Sequence, residues 1–362
     1  MLNHIFKERE ECHLYLPKFN YYRPSSLPEA LMLLAEIGDK CKIMAGGTDL
    51  LVAMKQRRIT PDHLIDLSCI DQLAKIEQTE SGQLKIGSMA TLAKVAASPL
   101  VQSISPALAQ AAWEVGSPLL RNRGTVGGNI LQDTRCRYYN QSASWRKGKE
   151  TCLKMDGAVC HINPNKTSCL STYAGDLAPV LLAESATLEI ATSLQVDQVP
   201  LASLFTGDGK KPVQIKPQAL ITAIYLHPLE QGQERGGFYQ KVRSRPSIDF
   251  PLVGLAVVWA STRTAGQTKV EAKAAVTGLS SQPQLAAQTG LALSKARPGE
   301  SQLAELQEIL RSEVKVIDTG SCPAWYRKQM LGQALADALA KVKATIQQLK
   351  SNSTDQGGAA NE

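Results

Sequence analysis

Half of the chain's eight cysteines crowd into 34 of its 362 residues. They are Cys136, Cys152, Cys160 and Cys169, spaced C-x15-C-x7-C-x8-C. The other four, Cys12, Cys41, Cys69 and Cys322, are scattered. Directly upstream of the crowded segment lies a glycine-rich run, Gly124-Thr-Val-Gly-Gly-Asn-Ile130. A second, Ala45-Gly-Gly-Thr-Asp-Leu50, lies near the N-terminus. Glycine-rich turns suit phosphate cradling, and four clustered thiolates suit a metal centre. The combination points to electron transfer between an organic cofactor and a metal cluster.

The length allows a large core and two or three domains. The apolar fraction of 43% and charged fraction of 20% are ordinary for a globular protein. The net charge of +7 is spread along the chain with no run of five Lys or Arg, which argues against nucleic-acid binding. No apolar stretch approaches the roughly 18 residues of a membrane span. The first ten residues carry no apolar core typical of a secretory signal, so the expected compartment is reducing cytoplasm. There, clustered cysteines mean metal more often than disulfides.

Apolar runs alternating with helical patterns predict strands at 41–44, 63–67 and 84–87. Helices are expected from Thr91 as N-cap through Ala97 and over 106–115. A short helix over 177–183, a strand at 186–190 and a loop over 205–216 follow. Strands at 238–243, 253–260 and 270–277 then predict a second sheet. Helices over 302–314, capped by Ser301, and from Pro323 to about 349 close the pattern. The organisation expected is α+β, with a first domain over 1–234 and a smaller α+β domain over 235–348. A disordered tail is expected over 349–362.

A phosphate needs several converging N–H groups and no side chain in the way. Both glycine runs fit that demand, with Thr48, Thr125 and Asn129 as further donors. Neither is a G-x-G-x-x-G or P-loop fingerprint, and both also read as plain tight turns. The four cysteines suit a [4Fe–4S] cluster, a [2Fe–2S] cluster, a tetrahedral zinc or no metal. The close cysteine pairs usual for zinc are absent, which favours a larger cluster. Arg135, Arg137, Arg146, Lys147, Lys149 and Lys154 would balance its charge and raise its potential. Tyr138, Tyr139 and Trp145 would shield it. His161 reads as a neighbour of such a site, not a ligand. No Ser/His/Asp or Cys/His catalytic arrangement stands out.

Several segments resemble the FAD-binding medium subunit of the molybdenum hydroxylases, the xanthine dehydrogenase and carbon monoxide dehydrogenase family. They are Ala45 to Leu50, Leu120 to Ile130, Gly175-Asp-Leu-Ala-Pro179, Phe238 to Arg245 with Ile248 to Val253, and Cys322-Pro-Ala-Trp-Tyr-Arg327. The resemblance spans roughly 18–345 in order. It implies a two-lobed FAD-binding domain of the vanillyl-alcohol-oxidase/PCMH type. It further implies that Ile43, Met44, Ala45, Gly46, Gly47, Thr48, Asp49 and Leu50, with Thr125, Val126, Gly127, Gly128 and Asn129, wrap the FAD pyrophosphate and ribityl chain. By the same resemblance Asp176 holds the nucleotide part, Lys241 lies beside the ring, and Val115 and Ile221 are apolar contacts. Read without it, Asp176 is a helix cap, Lys241 a solvated strand residue, and Val115 and Ile221 core.

Most members of that family pass from the second glycine segment to the acidic motif within about ten residues. Here an insert of about 132–172 intervenes. It resembles the flavin subunit of 4-hydroxybenzoyl-CoA reductase, where such an insert carries an additional [4Fe–4S] cluster. The match extends to Cys136-Arg-Tyr-Tyr-Asn-Gln-Ser142, Trp145-Arg-Lys147 and Cys160-His161. The resemblance implies ligation by Cys136, Cys152, Cys160 and Cys169. It also implies a large molybdopterin-binding subunit and a small [2Fe–2S] subunit as partners, in a heterotrimer or a dimer of heterotrimers, and an external electron carrier. The alternatives are a xanthine, aldehyde or CO dehydrogenase-like flavin subunit, a stand-alone flavin oxidase, and a zinc-clipped scaffold.

Overall fold

The computed structural model describes residues 15–230, 232–264, 267–295, 301–319 and 322–355. The leader reading at the N-terminus falls on residues outside these. The chain opens on a small parallel sheet of β1 (Asn20–Tyr22), β2 (Cys41–Met44) and β3 (His63–Asp66), in the order β1-β3-β2. Parallel neighbours need a crossover, and α1 (Leu27–Ile37) supplies it. Its N-cap Ser26 accepts from the Glu29 N–H at 3.4 Å, and it buries Ala30, Leu31 and Leu34. After β2 the first glycine run turns into α2 (Leu50–Lys55).

A second sheet has the order β4-β5-β8-β6-β7, all antiparallel. Its strands are β4 (Ile76–Gln78), β5 (Leu84–Gly87), β6 (Thr187–Ala191), β7 (Val196–Pro200) and β8 (Leu220–Leu226). The central strand β8, Leu-Ile-Thr-Ala-Ile-Tyr-Leu, is buried at every position, as a strand covered on both faces must be. Between β5 and β6 the chain leaves the sheet. It forms α3 (Leu92–Ala97), α4 (Pro99–Ile104), α5 (Pro106–Trp113), α6 (Pro118–Arg121), α7 (Val126–Ile130), α8 (Ala143–Lys147) and α9 (Leu177–Ala183). Thr91 caps α3 as expected, accepting from the Lys94 N–H.

The third sheet is antiparallel in the order β12-β11-β10-β9. It comprises β9 (Gln233–Val242), β10 (Val253–Thr264), β11 (Gln267–Thr277) and β12 (Gln284–Ala286). Its period-2 alternation serves two cores. Phe238, Val253, Leu255, Val257, Ala274 and Val276 pack under α11 (Ser301–Glu313) and α12 (Ala324–Asp355), with α10 (Ala287–Lys295) on the flank. The intervening Tyr239, Ala256, Val258 and Ala275 belong to the main core with α5 and α9. One face of the third sheet thus packs on the main core and the other on the cluster under the last helices. The last helix runs to Asp355, past the expected stop near 349. Of the tail expected over 349–362, residues 356–362 lie outside the described residues.

Candidate functional site

The two glycine segments meet. A Cβ on Gly46 would stand 1.8 Å from the carbonyl oxygen of Arg123, the residue before Gly124. No side chain fits between the loops, so Gly46 is fixed by loop-on-loop packing. Gly47 has φ +73°, the left-handed region that glycine adopts without strain. From Gly46 to Asp49 the backbone N–H groups donate to no acceptor among the described residues. Such a run of free donors at a strand-to-helix turn is what a phosphate needs.

The second segment is built differently from the sequence expectation. Its N–H groups are used internally: Val126 donates to the Ala90 carbonyl at 3.0 Å, Gly127 to Ser88 at 2.8 Å, and Gly128 to Thr125 Oγ1 at 3.2 Å. It offers open surface instead. A Cβ on Gly128 would meet only Thr125 Oγ1, at 3.1 Å, within 4 Å.

Asp176 and Lys241 come together. The carboxylate accepts from Tyr239 Oη at 2.7 Å and from Lys241 Nζ at 3.0 Å, and that ammonium also donates to the Glu114 carbonyl at 3.0 Å. Their side chains are only 4% and 1% exposed. Asp176 stands at the N-cap position of α9, yet its side chain makes no capping bond. Asn129 Oδ1 accepts the Leu177 N–H instead, at 3.2 Å. Neither plain reading, helix cap for Asp176 or solvated strand residue for Lys241, matches this geometry. Burial holds the Asp176 carboxyl above the usual carboxylate range, with Lys241 pulling it back. Val115 packs on the main core and Ile221 is buried within it.

The four clustered cysteines line one hollow. They approach it from segments far apart in the insert, and its closed volume is small, about 10 Å³. None is disulfide-bonded. Cys160 and Cys169 are buried, and Cys136 and Cys152 half-buried. Burial pushes the Cys136 and Cys169 thiols up. Among the described residues no three His, Cys, Asp or Glu side chains gather in a way that could hold a single metal ion. A tetrahedral zinc with bonds of about 2.3 Å draws its sulfurs to roughly 3.8 Å of one another. His161 lines the hollow too, but its Nε2 is 2.7 Å from the Glu150 carbonyl oxygen. Buried nitrogens without a partner include Arg135 Nε, Asn140 Nδ2 and Arg146 Nε, all in the insert.

Sequence reasoning placed Arg135 and Arg146 only as counter-charges. They also fasten the insert to α2 at both ends. Arg135 Nη2 donates to Asp49 Oδ1 at 2.5 Å, just before the helix, and its guanidinium lies 4.3 Å from the Phe250 ring centre. Arg146 donates to the carbonyls of Gln56 and Arg57, just after it, at 3.2 and 3.0 Å. Arg58 lies over the Tyr139 ring. No local pattern reveals these links, because each partner is some 80 to 90 positions away. The insert's neck is closed by two backbone bonds between Arg135 and Thr172, of 2.7 and 2.8 Å. No helix among the described residues is long and apolar enough to cross a membrane.

Residues 17–228 match the family described as the FAD binding domain in molybdopterin dehydrogenase. The chain is 34% identical over 252 residues to the FAD-binding subunit of an aldehyde oxidoreductase of Escherichia coli (strain K12), covering 66% of this chain and 77% of that one. It is 26% identical over 326 residues to the carbon monoxide dehydrogenase medium chain of Afipia carboxidovorans, covering 90% and 97%. In fold it is similar to a chain of the reconstituted CO dehydrogenase from Oligotropha carboxidovorans. There the TM-score is 0.72 at 23% identity, with 91% of this chain and 99% of that chain covered.

Proposed function

The chain belongs to the FAD-binding medium subunits of the molybdenum hydroxylases, and from that premise we propose that it relays electrons between a flavin and a [4Fe–4S] cluster of its own. The observation that carries the proposal is the convergence of Cys136, Cys152, Cys160 and Cys169 on one hollow, in an insert fastened to the helix that follows the first glycine segment. Partners are proposed from the family: a large molybdopterin-binding subunit, where bonds of the substrate change, and a small [2Fe–2S] subunit. The likeness of the insert to that of 4-hydroxybenzoyl-CoA reductase makes an aromatic acyl-CoA the substrate class proposed for the assembly, in the cytoplasm.

FAD, when bound, supplies the reversible one- and two-electron chemistry. The chain's own residues do the holding. The free N–H groups from Gly46 to Asp49 would take phosphate oxygens, with Ile43, Met44, Ala45 and Leu50 framing the turn. Gly128 leaves its surface clear for close approach, while Thr125, Val126, Gly127 and Asn129 hold that surface in place. Asp176 and Lys241 bind α9 to β9 and so fix the second glycine segment, through Asn129, against the third sheet. Val115 and Ile221 support it from the core. The four thiolates would hold the cluster, and Tyr138, Tyr139 and His161 wall its hollow against water.

The test is the visible spectrum and metal content of the chain purified without oxygen. Flavin bands with a broad iron–sulfur shoulder and about four irons per chain are expected. Flavin with one zinc, or flavin alone, sinks the cluster; no flavin sinks the relay.

A further inference from the structure

Of the six cations in the insert that could balance a cluster, the structure sets one apart. Lys154 lines the four-cysteine hollow, whereas Arg146 and Lys149 line a neighbouring one. The Lys154 side chain is 4% exposed. Its Nζ donates to Asp133 Oδ1 at 2.6 Å, to Thr134 Oγ1, and to the Gly209 carbonyl at 2.8 Å, and lies 5.0 Å from the Tyr139 ring centre. Ser171 Oγ continues the network. It contacts Thr134 Oγ1 at 2.6 Å, donates to Gly209 at 2.9 Å and reaches Cys169 Sγ at 3.2 Å. The ammonium is therefore held by at least three acceptors beside the cysteines, and a hydroxyl links its network to one sulfur.

We propose that Lys154 is the residue that sets the reduction potential of the group held by the four cysteines; this rests on the cluster reading above. Reduction adds a negative charge to the group, and a fixed cation beside it favours the reduced state. The carboxylate of Asp133 offsets only part of the effect. It is 43% exposed, so water screens its charge, while the buried ammonium is screened little. The other five cations do not line the hollow.

The experiment is an EPR-monitored redox titration of the full chain, loaded anaerobically, with iron analysis of each sample. Lys154→Met is expected to keep its iron and shift the cluster midpoint to a more negative potential, while Lys154→Arg stays close to wild type. Asp133→Asn keeps an oxygen acceptor for Lys154 and removes the opposing charge, so its midpoint is expected to move to a more positive value. Iron-loaded Lys154→Met and Asp133→Asn with wild-type midpoints overturn the proposal and leave the cluster reading intact. Should Lys154→Met fail to hold iron, Asp133→Asn decides: a positive shift supports the proposal and no shift overturns it. A wild-type chain without iron overturns both readings together.

Discussion

Replacing Lys241 by methionine should cost this protein far more than a surface charge would. Its ion pair with Asp176 spans 3.0 Å between side chains that are 1% and 4% exposed. At an effective dielectric of about 20 the attraction is about 5.5 kcal/mol. Removing one partner of such a pair strands the other charge in the core, at a cost of about 3–5 kcal/mol. The loss depends on pH in a definite direction. Burial already raises the Asp176 carboxyl, and Lys241 opposes that rise. Methionine removes the opposition, so the folded-state pKa climbs further above the unfolded one. A group raised in this way contributes stability below its unfolded pKa and loses it as pH rises through the folded pKa. The variant should therefore lose its full 3–5 kcal/mol near pH 8 and recover part of it near pH 5. Adding Asp176→Asn, which keeps an acceptor for Tyr239, should restore most of the loss at pH 8. Urea unfolding of the full chain at both pH values, followed by circular dichroism, measures this. A loss under 1 kcal/mol at pH 8, or equal losses at both pH values, refutes the reasoning.

Gly128→Val should empty the flavin site while leaving stability and iron nearly unchanged, because the new side chain points into open surface. Gly46→Ala should instead lower both flavin content and stability by about 1–3 kcal/mol, since its Cβ collides with the Arg123 carbonyl; flavin absorbance and thermal melts separate the two. Cys152→Ser should drop iron well below the wild-type content with flavin retained, and unchanged iron would remove Cys152 from the ligand set. Arg146→Met should strip about 1.5–3 kcal/mol of charged hydrogen bonding from the insert. Hydrogen exchange should then quicken across 135–172 without a matching change elsewhere, and uniform exchange would show that the clamp is not local.

What the sequence made legible was whatever repeats locally. The strands at 41–44 and 84–87, the helix over 177–183 and the cap at Thr91 appear where alternation and capping chemistry placed them. The crowding of four cysteines foretold one hollow. The third sheet's strands were legible too, but not its second face. Tyr239, Ala256, Val258 and Ala275 look like ordinary strand residues, and only the approach of α5 and α9 makes them part of the main core. The same limit explains the misread plain roles of Asp176 and Lys241. A residue's charge shows in the sequence, whereas a partner 65 positions away does not. It explains as well why both glycine segments looked alike. Glycine spacing does not tell whether neighbouring carbonyls will consume the N–H groups, as Ser88 and Ala90 do at the second segment.

The two-bond neck between Arg135 and Thr172 has a consequence for how such a subunit could acquire an extra redox centre. The whole insert leaves and rejoins its host at two adjacent points. Lengthening a flexible loop between fixed ends is cheap, about 0.6 kcal/mol for each doubling. The cassette should therefore be portable. Transplanted between the equivalent neck positions of a sister subunit that lacks it, it would need few accommodations from its host: a carboxylate where Asp49 stands, free carbonyls where Gln56 and Arg57 follow α2, and room for Gly209 against Ser171.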